Sequence, residues 1–298
     1  MKILFIETNY TENFYLNQRN TYDNVNCVHL FRRNGRISKL LRKTFLKLNL
    51  PLNIFLGSWS KEVDKYDYVI LPVTIYSKSI MSLYNKYESK FRHWYWNSIF
   101  TTVKPNEIGT LNKYIYTFDM KDSIDYKINY INTYYFSGIQ LKSEQQKYDI
   151  CFVGSDKGRL DYLIDLQKRF ENIGLSTYFH IVKSDNSRSN YKYRKHISYL
   201  DTLRIINKSK IILDIVQTGQ IGMTQRPLEA LFFNKKMITN SLSVREFDFF
   251  HEDNIFIIND NNYNEIKKFV DSDMKEVSQD IKDKYDFKHW IEKIIGND

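Results

Sequence analysis

The sequence predicts an α/β protein of two Rossmann-like domains facing each other across a cleft, and three observations lead there. Short, continuous apolar runs recur along the chain, each ending in a polar or glycine-bearing stretch, as strands buried on both faces of a parallel sheet require. Segments with helical spacing of apolar residues lie between these runs, the alternation of an α/β layer architecture. The pattern then starts afresh near residue 148, after the polar, charged segment 142–147.

Taken in order, Lys2-Ile3-Leu4-Phe5-Ile6 is an apolar run ended by Glu7-Thr8-Asn9, a strand that delivers a loop at its carboxyl end. Val25 to Phe31, Asp67 to Leu71 and Tyr114 to Phe118 read as further strands. In the second half Tyr148 to Val153 is a strand, and Gly154-Ser155-Asp156 a turn suited to capping a helix. Leu160, Leu163, Ile164, Leu166 and Phe170 recur at helical spacing until Gly174 closes the segment. Strands are expected over Ser176–Val182, Ile211–Leu213, Met237–Thr239 and Ile255–Ile258. Helices are expected over Leu200–Asn207, Arg226–Phe233, Tyr263–Val270 and Phe287–Ile295. The domains are then 1–141 and 148–298, with the last helix packing back on the first domain. Ligands of such sheets lie beyond the carboxyl ends of the strands, which makes the cleft the expected site.

Composition limits the function. At 298 residues and 42% hydrophobic content the chain is long and apolar enough for two cored domains, and disorder is excluded. No run reaches the roughly 18 apolar residues of a spanning helix, and the first apolar stretch is too short for a signal peptide. Cys27 and Cys151 are the only cysteines, so neither a disulfide framework nor a multi-cysteine zinc site is available. The expectation is a soluble, cytoplasmic protein.

Charge divides the chain. Residues 1–147 carry 21 basic and 12 acidic side chains, whereas the remainder carries 23 of each. No carboxylate occurs between Asp23 and Glu62, while Arg32, Arg33, Arg36, Lys39, Arg42, Lys43 and Lys47 crowd together. In the same segment Ile37, Leu40, Leu41, Phe45 and Leu48 share one helical face. Two readings stay open: a helix whose apolar face is core, or a basic amphipathic helix over residues 32–48 at an anionic membrane surface. Nucleic acid is not expected as a partner, because no recognition motif accompanies the charge.

The segment from Asp214 to Leu231 carries the most chemistry. A strand ends near Asp214, a loop with Gly219 and Gly222 follows, and a helix opens near Thr224 with Pro227 in its first turn. Free N–H groups and the positive end of the helix dipole attract phosphate, and the glycines permit close backbone approach. Arg226 offers a planar fork for a diphosphate, and Glu229 two acceptors for vicinal ribose hydroxyls. The plainer alternative is that Thr224 merely caps the helix and Glu229 complements its dipole.

Thr224-Gln225-Arg226-Pro227-Leu228-Glu229-Ala230-Leu231, followed by Asn234-Lys235-Lys236-Met237-Ile238-Thr239-Asn240, resembles the donor-binding stretch of two-domain GT-B glycosyltransferases. The closest likeness is to bacterial capsule, exopolysaccharide and lipopolysaccharide-core proteins related to the CgeB group. Tyr148 to Arg159 resembles the opening of their second domain, and Tyr116 to Asp122 a segment near the end of their first. The resemblance spans about residues 114 to 260. It implies transfer of a sugar from a nucleotide-diphosphate sugar to a glycan or lipid-linked acceptor, without a metal or other cofactor. It matches Glu229 to the glutamate on the donor ribose and Arg226 to the basic residue near the diphosphate. Many retaining members carry a second glutamate eight residues earlier; here that position is Ile221, so retention or inversion stays open.

The donor set is then Gly222, Met223, Thr224, Arg226 and Glu229, joined by His180 and Lys183 near the end of a strand and by Gly154 in a turn. Lys157 and Arg159 follow that turn and are placed to reach into the cleft. An inverting transfer needs a base. Asp119 ranks first and Glu7 second, both at carboxyl ends of strands, with His93 beside Trp94 and Trp96 a further candidate. Sialyl or pyruvyl transfer, or a non-catalytic binding protein, are the alternatives on the same scaffold.

Overall fold

Among the residues described, all except 11–12, 34, 143, 185–186, 188–189, 218–221 and 297–298, every pairing between strands is parallel, in two separate sheets. In this computed structural model the chain divides into two units, Met1–Thr133 with Phe287–Asp298, and Tyr134–Asp286.

The first unit holds strands β1 (Ile3–Glu7), β2 (Val25–His29), β3 (Tyr68–Pro72), β4 (Phe91–Tyr95), β5 (Ile115–Thr117) and β6 (Asn129–Tyr130), ordered β2-β1-β3-β4-β5-β6. Its helices are α1 (Phe14–Arg19), α2 (Arg36–Lys47), α3 (Met81–Tyr87), α4 (Pro105–Ile108) and α5 (Met120–Tyr126). The run Ile3–Ile6 is fully buried, as a strand covered on both faces must be. Two strands were not expected. β4 escapes pattern reading because it buries Arg92 and His93 among its aromatic residues. Arg92 is accommodated by donating to the carbonyls of Ser89 and Ile294 and by lying over the rings of Tyr68 and Tyr114. β6 has only two residues.

The second unit holds β7 (Tyr148–Ser155), β8 (Thr177–Val182), β9 (Ser209–Asp214), β10 (Lys236–Thr239) and β11 (Ile255–Ile257), ordered β11-β10-β9-β7-β8. Its helices are α6 (Leu160–Asn172), α7 (Tyr199–Asn207), α8 (Gln225–Phe232), α9 (Ile266–Asp271) and α10 (Gln279–Lys284). α6 buries Leu160, Leu163, Leu166 and Phe170 on one stripe, and Gly174 takes the left-handed conformation just past its end. The expected turn at Gly154 is instead strand as far as Ser155. Asp156 follows and accepts from the Gly158 N–H and the Tyr193 hydroxyl.

The chain crosses between units twice. At these crossings Tyr135 bridges Asp286, the Tyr135 N–H donates to the Tyr285 carbonyl at 2.8 Å, and the Ser137 N–H donates to the Asp286 carboxylate at 2.8 Å. The second unit thus begins ahead of the 142–147 segment read as a linker. The last helix, α11 (Phe287–Ile295), belongs to the first unit, with Trp290 against Trp94 and Phe5.

α2 departs from the packed-helix reading. Arg42 is its one buried residue, reaching the Arg33 carbonyl and the face of Phe31, while Phe45 and Leu46 are half-buried against the core. Ile37, Leu40, Leu41 and Leu48 are exposed. No helix among the described residues is long and apolar enough to cross a membrane.

Candidate functional site

In a doubly wound sheet the crevice opens where the strand order reverses, and in the second unit that point lies between β7 and β9. The segment singled out in the sequence is built there. Asp214 ends β9 and is buried. Residues 218–221, and with them the parts expected of Gly219 and Ile221, lie outside the described residues. Gly222 and Met223 are half-buried and lead to Thr224, which has extended backbone and caps α8. Its hydroxyl oxygen accepts from the Arg226 N–H at 3.3 Å and donates to Asp214 Oδ2 at 3.0 Å. One side chain thereby ties the helix start to the strand end.

Arg226 points back to the sheet. Its Nη2 donates to the Val153 carbonyl of β7 at 2.8 Å, and its Nη1 is paired with the carboxylate of Glu229. Glu229 is 0% exposed. Its other oxygen accepts from the Tyr199 hydroxyl at 2.7 Å, and the Tyr135 hydroxyl lies 2.8 Å from that of Tyr199. Burial opposes the charge on Arg226, but Glu229 and Tyr199 outweigh it and hold the guanidinium above its usual range. Burial also raises the Asp214 carboxyl, against the pull of Thr224, Arg226 and Arg159.

Further cations gather at this end. Arg159 donates to the Ser155 carbonyl and lies over the Phe152 ring. Burial holds its guanidinium below the usual range; Asp214 and Asp156 oppose that, and Arg226 adds to it. Lys157 is exposed and is lowered by burial of its stem and by Arg159. Lys157, Arg159 and Arg226 thus lie near the start of α8, with Asp156, Asp214 and Glu229 among them.

Several expected site residues are placed differently. Glu229 does not present its carboxylate outward, because one oxygen is paired with Arg226 and the other accepts from Tyr199; a ribose would have to displace one of these to reach it. His180 does not offer its ring to an anion. Its Nε2 lies 2.8 Å from the Lys195 carbonyl oxygen, as the alternation of β8 puts it on the face away from Phe179 and Ile181. Lys183, just past β8, is exposed. Gly154 makes room for a side chain and not for a ligand, since a Cβ there would stand 3.1 Å from the Phe152 ring.

In the first unit the candidate bases serve local structure. Glu7, at the reversal point between β1 and β3, is paired with Arg19 and accepts from the N–H groups of Thr8 and Asn9 at 2.8 and 2.7 Å. Asp119 caps α5, accepting from the Lys121 and Asp122 N–H groups, both on Oδ1. His93 is inside β4, where burial pushes its pKa down to about 3, with a smaller push from Arg92. No group of three or more potential metal ligands occurs among the described residues. Sequence reasoning missed Asp214 and Tyr199 as members of the site; Asp214 was legible as a strand-ending carboxylate ten residues before a helix cap, whereas nothing local marks Tyr199.

No protein-family model matches the chain, and no curated protein matches it in sequence. Among solved structures, HepE of Anabaena in complex with UDP superposes with a TM-score of 0.52 at 11% identity, covering 99% of each chain. The kitacinnamycin glycotransferase gives 0.47 at 8% identity, over 99% of this chain and 95% of that one. UDP-N-acetylglucosamine 2-epimerase of Rickettsia bellii gives 0.39 at 13%, over 80% and 78%. The likeness at such identities is one of fold, and it rests on the first comparison: the chain has the two-sheet α/β architecture of the GT-B type.

Proposed function

We propose that the chain is a glycosyltransferase that takes its sugar from a nucleoside-diphosphate sugar, held in the second unit. The observation that carries this reading is the Thr224–Arg226–Glu229 constellation in the N-terminal half of α8 and its cap, set at the reversal point of a parallel sheet and near Lys157 and Arg159. The UDP carried by the HepE structure, a protein of like fold, supports the same class of ligand.

In this reading the diphosphate lies at the N-terminus of α8, against the backbone of Gly222 and Met223 and the guanidinium of Arg226. An acceptor hydroxyl attacks the anomeric carbon, the bond from that carbon to the phosphate oxygen breaks, and the leaving diphosphate is stabilised by the helix start and the cations. The hydroxyl proton goes to a base in the first unit. Asp119 is preferred to Glu7, whose carboxylate is taken up by Arg19. The acceptor is a glycan or lipid-linked saccharide of a bacterial surface polysaccharide, by the resemblance of the Thr224–Asn240 stretch.

A thermal-shift series with nucleoside mono- and diphosphates and sugar nucleotides tests this. A diphosphate at about 100 times its Kd should add about 2.7 kcal/mol of stability to the wild type, and much less to Arg226→Gln. A shift by monophosphates alone points to a sialyl-type donor. No shift by any nucleotide sinks the proposal.

A further inference from the structure

The exposed face of α2 is the feature that the nucleotide site leaves unexplained. At 100° per residue, Ile37, Leu40, Leu41, Thr44 and Leu48 fall within an arc of about 100°. Ile37 is 77% exposed, Leu40 66% and Leu48 62%. The arc lies well away from Arg42, the residue by which the helix is seated. Arg36, Lys39, Lys43 and Lys47, all exposed, occupy a second arc of about 80° along one edge of the apolar stripe. Arg32 and Arg33 stand exposed just before the helix, and Leu50 and Ile54 just after it. Other helices of the chain do the reverse: α6 and α11 bury their apolar stripes.

We infer that α2 is a membrane-docking helix that lies flat on an anionic lipid surface. Its leucines and isoleucine enter the boundary between headgroups and acyl chains, and its lysines and arginines meet the anionic headgroups. Four considerations choose this occupant. Free water on a stripe of four large aliphatic side chains is costly, and an acyl boundary relieves that cost. No carboxylate lies between Asp23 and Glu62 to repel anionic headgroups, and each basic residue near such a surface adds to the attraction. A second copy of the chain is disfavoured, since a two-fold contact would set this basic face against itself. Nucleic acid would find phosphate partners along one edge only, with the apolar stripe at the centre left unmatched. This inference does not rest on the nucleotide site.

The test is co-sedimentation of the full chain with vesicles of mixed phosphatidylglycerol and phosphatidylcholine, and with phosphatidylcholine alone, at low and high salt. The wild type should bind the mixed vesicles, more weakly as salt rises, and bind phosphatidylcholine poorly. Leu40→Ser/Leu41→Ser and, separately, Lys39→Glu/Lys43→Glu should each weaken binding at least about ten-fold. Both pairs are exposed, and an unchanged Tm will show that each variant is folded. Binding that is absent, or equal in wild type and both variants, overturns the inference. So does a wild-type dimer, seen without vesicles, that Leu40→Ser/Leu41→Ser disperses.

Discussion

Each sheet of this protein carries an arginine–glutamate pair at the point where its strand order reverses, and the two pairs are built differently. In the first unit Glu7 comes from the strand and Arg19 from the helix that follows it, and their side chains are 9% and 4% exposed. Arg19 also lies over the Phe5 ring, and the pair is nearly sealed from water. In the second unit both partners come from one helix, three residues apart, and the Glu229 side chain is 0% exposed while that of Arg226 is 19% exposed. The second pair keeps its carboxylate wholly inside, anchored by Tyr199, and its guanidinium is turned inward to Glu229 and the Val153 carbonyl. The first pair ties a strand to the helix after it, whereas the second fixes an arginine beside a helix start.

Breaking the sealed pair should have the largest effect. Arg19→Ala leaves the buried Glu7 carboxylate without its partner and should cost about 3–5 kcal/mol of stability, read by urea denaturation. In the second pair Arg226→Gln leaves an amide donor facing the buried Glu229 carboxylate, so its cost in stability should be smaller than that of an outright truncation. Arg226→Gln should abolish most of the nucleotide-dependent thermal shift while costing less than Arg19→Ala, and equal costs would erase the distinction drawn here.

The first sheet also hides a titrating group, and its pH response sharpens the contrast between the units. His93 titrates near 3 in the fold and near 6.5 when unfolded. Between those values the unfolded chain binds the extra proton, so stability is full above about pH 6.5 and falls as pH drops, by up to about 1.4 kcal/mol per pH unit. His93→Leu should flatten that slope in acid denaturation, and a slope left unchanged would place its origin elsewhere. The smallest effect is expected at the helix start. Thr224→Ala removes the cap on α8 and should cost about 1 kcal/mol, together with a weaker nucleotide shift.

Local chemistry was legible in the sequence, and non-local chemistry was not. The Ile3–Ile6 and Tyr148–Val153 runs announce their strands because continuous apolar residues suit a doubly covered sheet. β4 hides because Arg92 and His93 break that pattern, and their burial depends on partners as distant as Ile294. In the site, Thr224, Arg226 and Glu229 are near neighbours in the sequence and could be read together, but Tyr199 reaches Glu229 across thirty residues with no signal of its own. The spacing also left Glu229 free to face outward, which the packing of α8 does not allow. For α2 the period grouped Phe45 with Ile37, Leu40, Leu41 and Leu48, but Phe45 packs inward on Phe55 while the other four are exposed. The same spacing fits an apolar face turned in or out, and Arg42 on Phe31, with Phe45 and Leu46 on the core, seats the helix with those four outward.

The paired crossings at Thr133–Tyr134 and Asp286–Phe287 make the second unit a cassette. It is one uninterrupted stretch whose two ends are stitched together by the Tyr135–Tyr285 and Ser137–Asp286 bonds, while the first unit resumes its own thread with α11. Adjacent termini are the condition under which insertion and permutation are tolerated. Two cuts and two joins therefore suffice to exchange the whole second sheet, leaving Trp290 in place against Trp94. In genetic terms, the half proposed to hold the nucleotide can be traded among chains of this architecture without redesigning the half that keeps α2.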